Sequence, residues 1–273
     1  MSDSVSARAY AKLTLFLRIL GRKGDHHEIE ALQQSVDLFD EITLTKRKDD
    51  LVTSDFEGDN SLVVLEELRK RFSLGGMHLS LLKNIPIGGG LGGSSADAAA
   101  AALACADLWE LDRDRVKEIA APLFGDIAFQ MTGGTALARG FGERLQLLPP
   151  LPSYWVLLAF PKEGVSTERA YALSDEFPKG EGKSGDLLAS LRRGERAQKN
   201  YCNDLISPAK RLNGEIARLL DEIGDEAALL TGMSGSGSTL FALYTAREQA
   251  ALRAKELPCR TLLTRTISPF LGK

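Results

Sequence analysis

The chain has 273 residues, 44% of them hydrophobic and 26% charged, with a formal net charge of −3 from 34 basic and 37 acidic side chains. This is the balance of a globular protein of one large or two ordinary domains, and it offers no basic field for nucleic acid. Three scattered cysteines, Cys105, Cys202 and Cys259, give neither a disulfide framework nor a metal-ligand spacing. The first residues lack the apolar core of a signal peptide, and no apolar run approaches the roughly 18 residues of a membrane span. The expectation is a cytoplasmic protein with no membrane or nucleic-acid partner.

In chain order, Ala9 to Leu20 reads as a strand through its apolar and aromatic residues. Lys12 inside it is either a charge on a wet face or a cation placed to meet an anion. Gly21 to His27 is a polar turn, and Leu32 to Leu44 suggests further strand. Lys46-Arg47-Lys48, followed at once by Asp49-Asp50, reads as a solvated loop. Leu62, Val63, Leu65, Leu68 and Phe72 predict a helix over residues 60–72. His78 to Lys83 is a short strand candidate broken by Asn84 and Pro86. A glycine run follows, and then a long alanine-rich helix from Ser94 to Glu110, with serine or aspartate suited to its start. Asp112 to Leu123 is a second helix, and Gly125 to Gly142 holds a loop and a strand.

Pro149, Pro150 and Pro152 mark the best boundary, dividing residues 1–150 from 151–273. Beyond it come a buried strand, Tyr154 to Phe160, and a flexible excursion, Phe177 to Gly185. Helices are expected over Ser207 to Ile223, and a second glycine-serine loop over Thr231 to Thr239. A strand (Leu240 to Tyr244), a helix (Glu248 to Leu257) and a last strand (Arg260 to Ile267) complete the chain. Strands and helices interleave in both halves, which predicts an α+β fold.

The glycine run is the most informative segment. Gly88, Gly89, Gly90, Gly92 and Gly93 stand within six positions, directly before a helix. Glycine lets the backbone approach a ligand, and a helix start offers unpaired N–H groups and a positive dipole end. Together they suit a phosphate. Gly88-x-Gly90-x-x-Gly93 formally matches a dinucleotide fingerprint, but the following helix leads into another helical stretch rather than a strand ending in an acid. Ser94 stands where a Walker loop needs lysine, and Ala96 stands where a nucleophile elbow needs glycine.

Pro86-Ile87-Gly88-Gly89-Gly90-Leu91-Gly92-Gly93-Ser94-Ser95-Ala96 resembles the phosphate-binding motif of the GHMP kinases, the superfamily of galactokinase, homoserine, mevalonate and phosphomevalonate kinases. Ala11 to Leu17 resembles their first motif and Thr231 to Gly237 their third, in the same order. The tripled glycine, the opening Ala-Lys-Leu-x-Leu-Phe-Leu, Gly125-Asp126-Ile127-Ala128-Phe129, the glycines of 133–143 and Asn203-Asp204-Leu205 resemble the branch whose acceptor is a cytidine diphosphate-linked methylerythritol. The resemblance covers nearly the whole chain. It implies two α+β domains, the first like ribosomal protein S5 domain 2 and the second ferredoxin-like, with the last residues able to return to the first.

It also implies roles. ATP and Mg²⁺ are the expected cofactors, with the phosphates cradled by Pro86 to Ser95. Ser94 or Ser95 would supply a hydroxyl to phosphate or metal, Ser95 being the metal candidate; helix capping is the plain alternative for either. Asp126 would be the general base, with Lys12 beside it. Asn60 resembles a residue near adenine, although Asp59-Asn60 could equally cap a helix. His27 matches a histidine that hydrogen-bonds cytosine. His26 stands where a base-stacking tyrosine is usual, Thr14 where asparagine is usual and Ala128 where proline is common. Tyr171 resembles the aromatic that covers the base from the other face. The second glycine loop, with Gly235, would close on the substrate, or else be a simple hairpin turn. The implied assembly is a monomer or weak homodimer acting on small molecules. Another small-molecule kinase of the superfamily is the nearer alternative. A catalytically silent nucleotide-binding regulator is the more distant one, and the presence of both Lys12 and Asp126 argues against it.

Overall fold

The computed structural model describes residues 3–24, 26–56, 58 and 60–268. Asp25 of the expected turn, Asp59 of the expected helix cap and the last five residues lie outside the described residues. By contact the chain divides into two units. The first comprises residues 1–12, 38–87 and 92–133; the second comprises 13–37, 88–91 and 134–273. The chain therefore passes several times from one to the other, and the proline cluster at 149–152 falls inside the second.

Two long strands, β1 (Ser4–Lys23) and β2 (His26–Lys46), contribute to both units. The polar turn expected over Gly21 to His27 shrinks to the link between these strands, where Gly24 takes a φ of 61°. In the first unit, Glu41 to Lys46 of β2 pairs antiparallel with β4 (Met77–Leu82). A short β3 (Val52–Ser54) pairs with β4 in parallel, with α1 (Asn60–Phe72) as the crossover. Helix α1 buries Ser61, Val64, Leu65 and Leu68, a single stripe at helical spacing. Burying each of these leucines contributes roughly 2 kcal/mol. The helix ends at Ser73, whose φ of 52° lets the Leu74 N–H reach the Arg69 carbonyl.

Helix α2 (Gly93–Leu108) is buried almost all round, as an alanine-rich helix can be when neighbours approach its backbone on every side. Its main partner is α1. Two shorter helices follow, α3 (Arg113–Ala120), capped by Asp112, and α4 (Ile127–Gln130).

In the second unit, Ile29 to Gln34 of β2 pairs antiparallel with β5 (Thr135–Gly140), which pairs with β6 (Arg144–Leu148). A separate antiparallel sheet runs in the order β10-β7-β9-β8, from β7 (Trp155–Phe160), β8 (Leu230–Met233), β9 (Leu240–Tyr244) and β10 (Arg260–Arg265). Val156 to Ala159 of the central β7 are buried on both faces. The core beside it includes Leu157, Leu205, Ala209, Ile216, Leu219 and Leu240. It is supplied in part by α5 (Thr167–Ser174), α7 (Ile206–Leu212), α8 (Gly214–Glu222) and α9 (Arg247–Glu256). The excursion expected over Phe177 to Gly185 runs directly into α6 (Ser184–Arg192). After β10, Thr266 bridges to Val36 and the Ile267 N–H donates to the Ser35 carbonyl.

Candidate active site

Lys12 sits in a stretch of β1 where Ala11, Leu13 and Leu15 are fully buried, and the lysine itself is only 7% exposed. It is not a wet-face charge. Its ammonium lies 3.1 Å from Asp126 Oδ1, at the start of α4. The stem of the same lysine passes against Gly92. A Cβ built on Gly92 would stand 3.0 Å from Lys12 Cε and 2.8 Å from Gln130 Nε2. Gly92 also has a φ of 70°, so glycine is required there twice over. Gln130 donates from Nε2 to the Gly92 carbonyl at 3.3 Å. Lys12, Asp126, Gly92 and Gln130 thus form one cluster in the first unit.

Helix α2 begins at this cluster without a side-chain cap. The serine or aspartate expected to cap it does not. Ser94 instead accepts from the Asn60 N–H at 3.3 Å, tying the start of α1 to the start of α2. Ser95 is half-buried. The uncapped first turn keeps the N–H groups and dipole end that suit an anion.

The tip of the glycine loop, Gly88 to Leu91, clusters with the second unit. Gly88 and Gly90 have φ values of 69° and 72°. A Cβ on Gly90 would collide with the Ser234 carbonyl. Ser234 Oγ donates to the Gly90 carbonyl at 2.8 Å and accepts from the Thr14 N–H at 3.1 Å. The Thr239 N–H donates to the Gly89 carbonyl at 3.2 Å. Gly235 lies close to Thr14, since a Cβ built on it would be 3.6 Å from Thr14 Oγ1. Asn203 holds the loop from below, donating to the carbonyls of Met233 at 2.8 Å and Gly235 at 2.9 Å. Residues 234–239 are at once the connection of the β8–β9 hairpin and the partner of the first glycine loop. The hairpin reading open in the sequence is therefore the local structure of this segment.

Elsewhere in the second unit, the His27 side chain is 7% exposed, and its Nε2 hydrogen-bonds Asp175 Oδ1 at 3.1 Å. Tyr171 stacks on His27, with ring centroids 5.4 Å apart and an interplanar angle of 28°. His26 meets the edge of Phe141 instead. Tyr171 is thus gathered with His27 rather than with His26. Burial and packing also surround the Tyr201 phenol, which accepts from the Met233 N–H at 2.9 Å. Burial pushes its pKa well above the ordinary tyrosine range.

Sequence reasoning missed Gln130, Ser234 and Asp175, and also Thr167, which shares a hydrogen bond with Ser236 at 2.8 Å. Ser234 and Ser236 lay inside a recognised motif. Gln130 and Asp175 carry no local signal, because their roles depend on partners distant in sequence.

Comparison with known proteins identifies the family. The model of the GHMP kinases N terminal domain matches residues 60–136, and that of the GHMP kinases C terminal matches residues 187–260. The fold is the α+β fold of that class: a solved homoserine kinase from Cytophaga hutchinsonii superposes with a TM-score of 0.70 at 19% identity. The match tightens for one kind of GHMP kinase. A 4-diphosphocytidyl-2-C-methyl-D-erythritol kinase of Moorella thermoacetica is 34% identical over 97% of this chain and 100% of its own. Its counterpart in Desulfitobacterium hafniense is 37% identical over 91% of this chain and 90% of its own. A crystal structure of 4-(cytidine 5'-diphospho)-2C-methyl-D-erythritol kinase superposes with a TM-score of 0.83 at 30% identity, covering 96% of this chain and 99% of its own. The chain belongs to the 4-diphosphocytidyl-2-C-methyl-D-erythritol kinase family of the GHMP kinases.

Proposed function

We propose that this chain transfers the γ-phosphoryl group of ATP to the 2-hydroxyl of 4-(cytidine 5'-diphospho)-2-C-methyl-D-erythritol, in the non-mevalonate isoprenoid pathway, giving ADP and the 2-phosphate. The observation that carries the reading is the buried Lys12 ammonium 3.1 Å from Asp126, packed against Gly92 of the glycine loop. The full-length likeness to kinases of that name supports the choice of acceptor.

In this reading Asp126 accepts the proton of the acceptor hydroxyl while the acceptor oxygen forms a bond to the γ-phosphorus. The bond from that phosphorus to the β–γ bridging oxygen breaks, and ADP leaves with the electron pair. Lys12 pairs with Asp126 and stabilises negative charge developing on the acceptor oxygen. Backbone N–H groups of Gly88 to Ser95 would hold the phosphates, and Asn60 would contact the adenine. Among the described residues no group of three or more His, Cys, Asp or Glu side chains could hold a metal ion. Mg²⁺ would be held mainly by the phosphates, with the Ser95 hydroxyl as its candidate protein ligand, and would supply charge neutralisation. Residues 1–150 would form the ATP-binding domain and 151–273 the second. Thr14, His26, His27, Tyr171 and Gly235 would contact the acceptor, with the Asp175 carboxylate orienting His27.

The test is an ADP-release assay with ATP and Mg²⁺ across a panel of acceptors. Turnover of the cytidine diphosphate-linked methylerythritol, and not of homoserine or mevalonate, is expected. Turnover of either of those alone overturns the assignment. Replacing His27 should raise KM for the cytidylyl acceptor more than KM for ATP, and equal effects would count against a cytosine contact. Among the described residues no helix is long and apolar enough to cross a membrane. The expected setting is the cytoplasm and the expected assembly a monomer or weak homodimer, which light scattering on the purified protein would check.

A further inference from the structure

Just before the glycine loop, three charged side chains meet in the first unit. The Lys83 ammonium hydrogen-bonds Asp40 Oδ2 at 2.5 Å and also Asp97 Oδ2. Both carboxylates are fully buried at 0% exposed, and the Lys83 side chain is 15% exposed. Asp40 has a second task. Its Oδ1 accepts from the backbone N–H of Asn84 at 2.5 Å and of Ile85 at 2.7 Å. The Phe56 ring lies 6.0 Å from the same ammonium. Burial by itself would lower the lysine pKa, but its hydrogen bonds to Asp40 and Asp97 outweigh burial and raise it.

The positions of these residues in the chain give the cluster its meaning. Lys83, Asn84 and Ile85 form the stem leading into the glycine loop, and Asp97 lies one turn into α2, the stem leading out. The stems also touch directly: a Cβ built on Gly93 would be 3.1 Å from Ile85 Cγ2 and 3.5 Å from Lys83 Nζ. A buried pair of carboxylates around one ammonium is a poor route to stability alone, because desolvation offsets much of the attraction. It does fix geometry, because each oxygen accepts only from donors held in place.

We propose that Asp40, Lys83 and Asp97 are positioning residues for the donor loop, a clasp that fixes the spacing of its two stems and so aims the backbone N–H groups between them. This rests on the reading of Gly88 to Ser95 as the ATP cradle. None of the three residues needs to touch the nucleotide. The clasp sets the span of the loop, and a slack loop presents its donors at mixed angles and binds phosphate more weakly.

The experiment compares steady-state kinetics of Asp97→Asn, Asp97→Leu, Asp40→Asn and Lys83→Met, each measured well below its own melting temperature. Asp97→Asn keeps an acceptor for Lys83 and should hold KM for ATP within about threefold of the parent. Asp97→Leu, Asp40→Asn and Lys83→Met should raise it at least about tenfold, with KM for the acceptor within about twofold. Equal rises in both KM values, or lowered melting temperatures with unchanged kinetics, overturn the proposal and leave the cluster structural. If Lys83→Met fails to fold, the two Asp97 variants still decide, because they differ chiefly in the hydrogen-bond acceptor they offer. Gly92→Ala, which alters the loop outside the clasp, separates the two readings. If it leaves KM for ATP unchanged, the ATP-cradle reading falls and the clasp with it. If it raises that KM while the clasp variants do not, only the clasp falls.

Discussion

Lys12 carries its ammonium through a buried part of β1 to reach Asp126, and a charge so placed needs a partner to offset its desolvation. Taking the carboxylate charge away while keeping its shape tests the proposed base. Asp126→Asn is expected to lower kcat by about 10²- to 10⁴-fold, with KM for ATP near the parent value. A variant near full activity would remove Asp126 from the role. The cysteines give a second measurable consequence. Burial pushes the thiols of Cys105 and Cys202 up to about 12, and Asp204 adds to the effect at Cys202. The folded state then keeps protons that unfolded thiols release above about pH 8.5. The stability these groups contribute is intact below that pH and declines from there toward pH 12. Lys83, also raised, acts in the same direction from about pH 10. The urea midpoint should therefore fall across the alkaline range, and Cys105→Ala should flatten the fall. Native protein at pH 8 should react with a thiol reagent at Cys105 and Cys202 only after denaturant is added.

The two glycine loops are joined by Ser234 and Thr239 within the second unit, and Gly90 is the tightest point of that junction. Gly90→Ala would place a methyl group against the Ser234 carbonyl in a left-handed conformation. The conformation alone costs about 1–2 kcal/mol. A lower melting temperature and a loss of turnover beyond that seen for an alanine at exposed Gly185 are the expected result. The same scale shows what local pattern can and cannot convey. Helix α1 was legible because its apolar residues repeat at helical spacing, and its observed bounds, Asn60–Phe72, are those expected. Helix α6 was hidden by the glycines and lysines before it, although Leu187, Leu188 and Leu191 lie on its buried side. Strand β8 is four residues long with a glycine inside it, and pairing with β9 rather than propensity makes it a strand. Helix α2 was legible in extent but not in its cap, since Ser94 turns to Asn60.

For the whole molecule the donor reading has a thermodynamic signature. A ligand that binds only the folded chain stabilises it by mass action, about 2.7 kcal/mol at one hundred times its dissociation constant. The melting temperature should rise with ATP concentration and respond much less to an equal ionic strength of inorganic salt. No rise at saturating ATP would contradict the proposed donor.

The sequence by itself determined the α+β class and the family, and it singled out the glycine loop as the proposed place for phosphate. Those conclusions rest on contiguous motifs, and a contiguous motif acts through local backbone chemistry that needs no distant partner. The tertiary structure alone decided which side chains meet. It brought Lys12 to Asp126, set Tyr171 on His27 instead of His26, bound Ser234 to Gly90 and closed Asp40 and Asp97 on Lys83. Each of these pairs is far apart in the chain or depends on a residue that is. Strand register and long-range packing bring such residues together, and neither leaves a mark in the few residues around each partner.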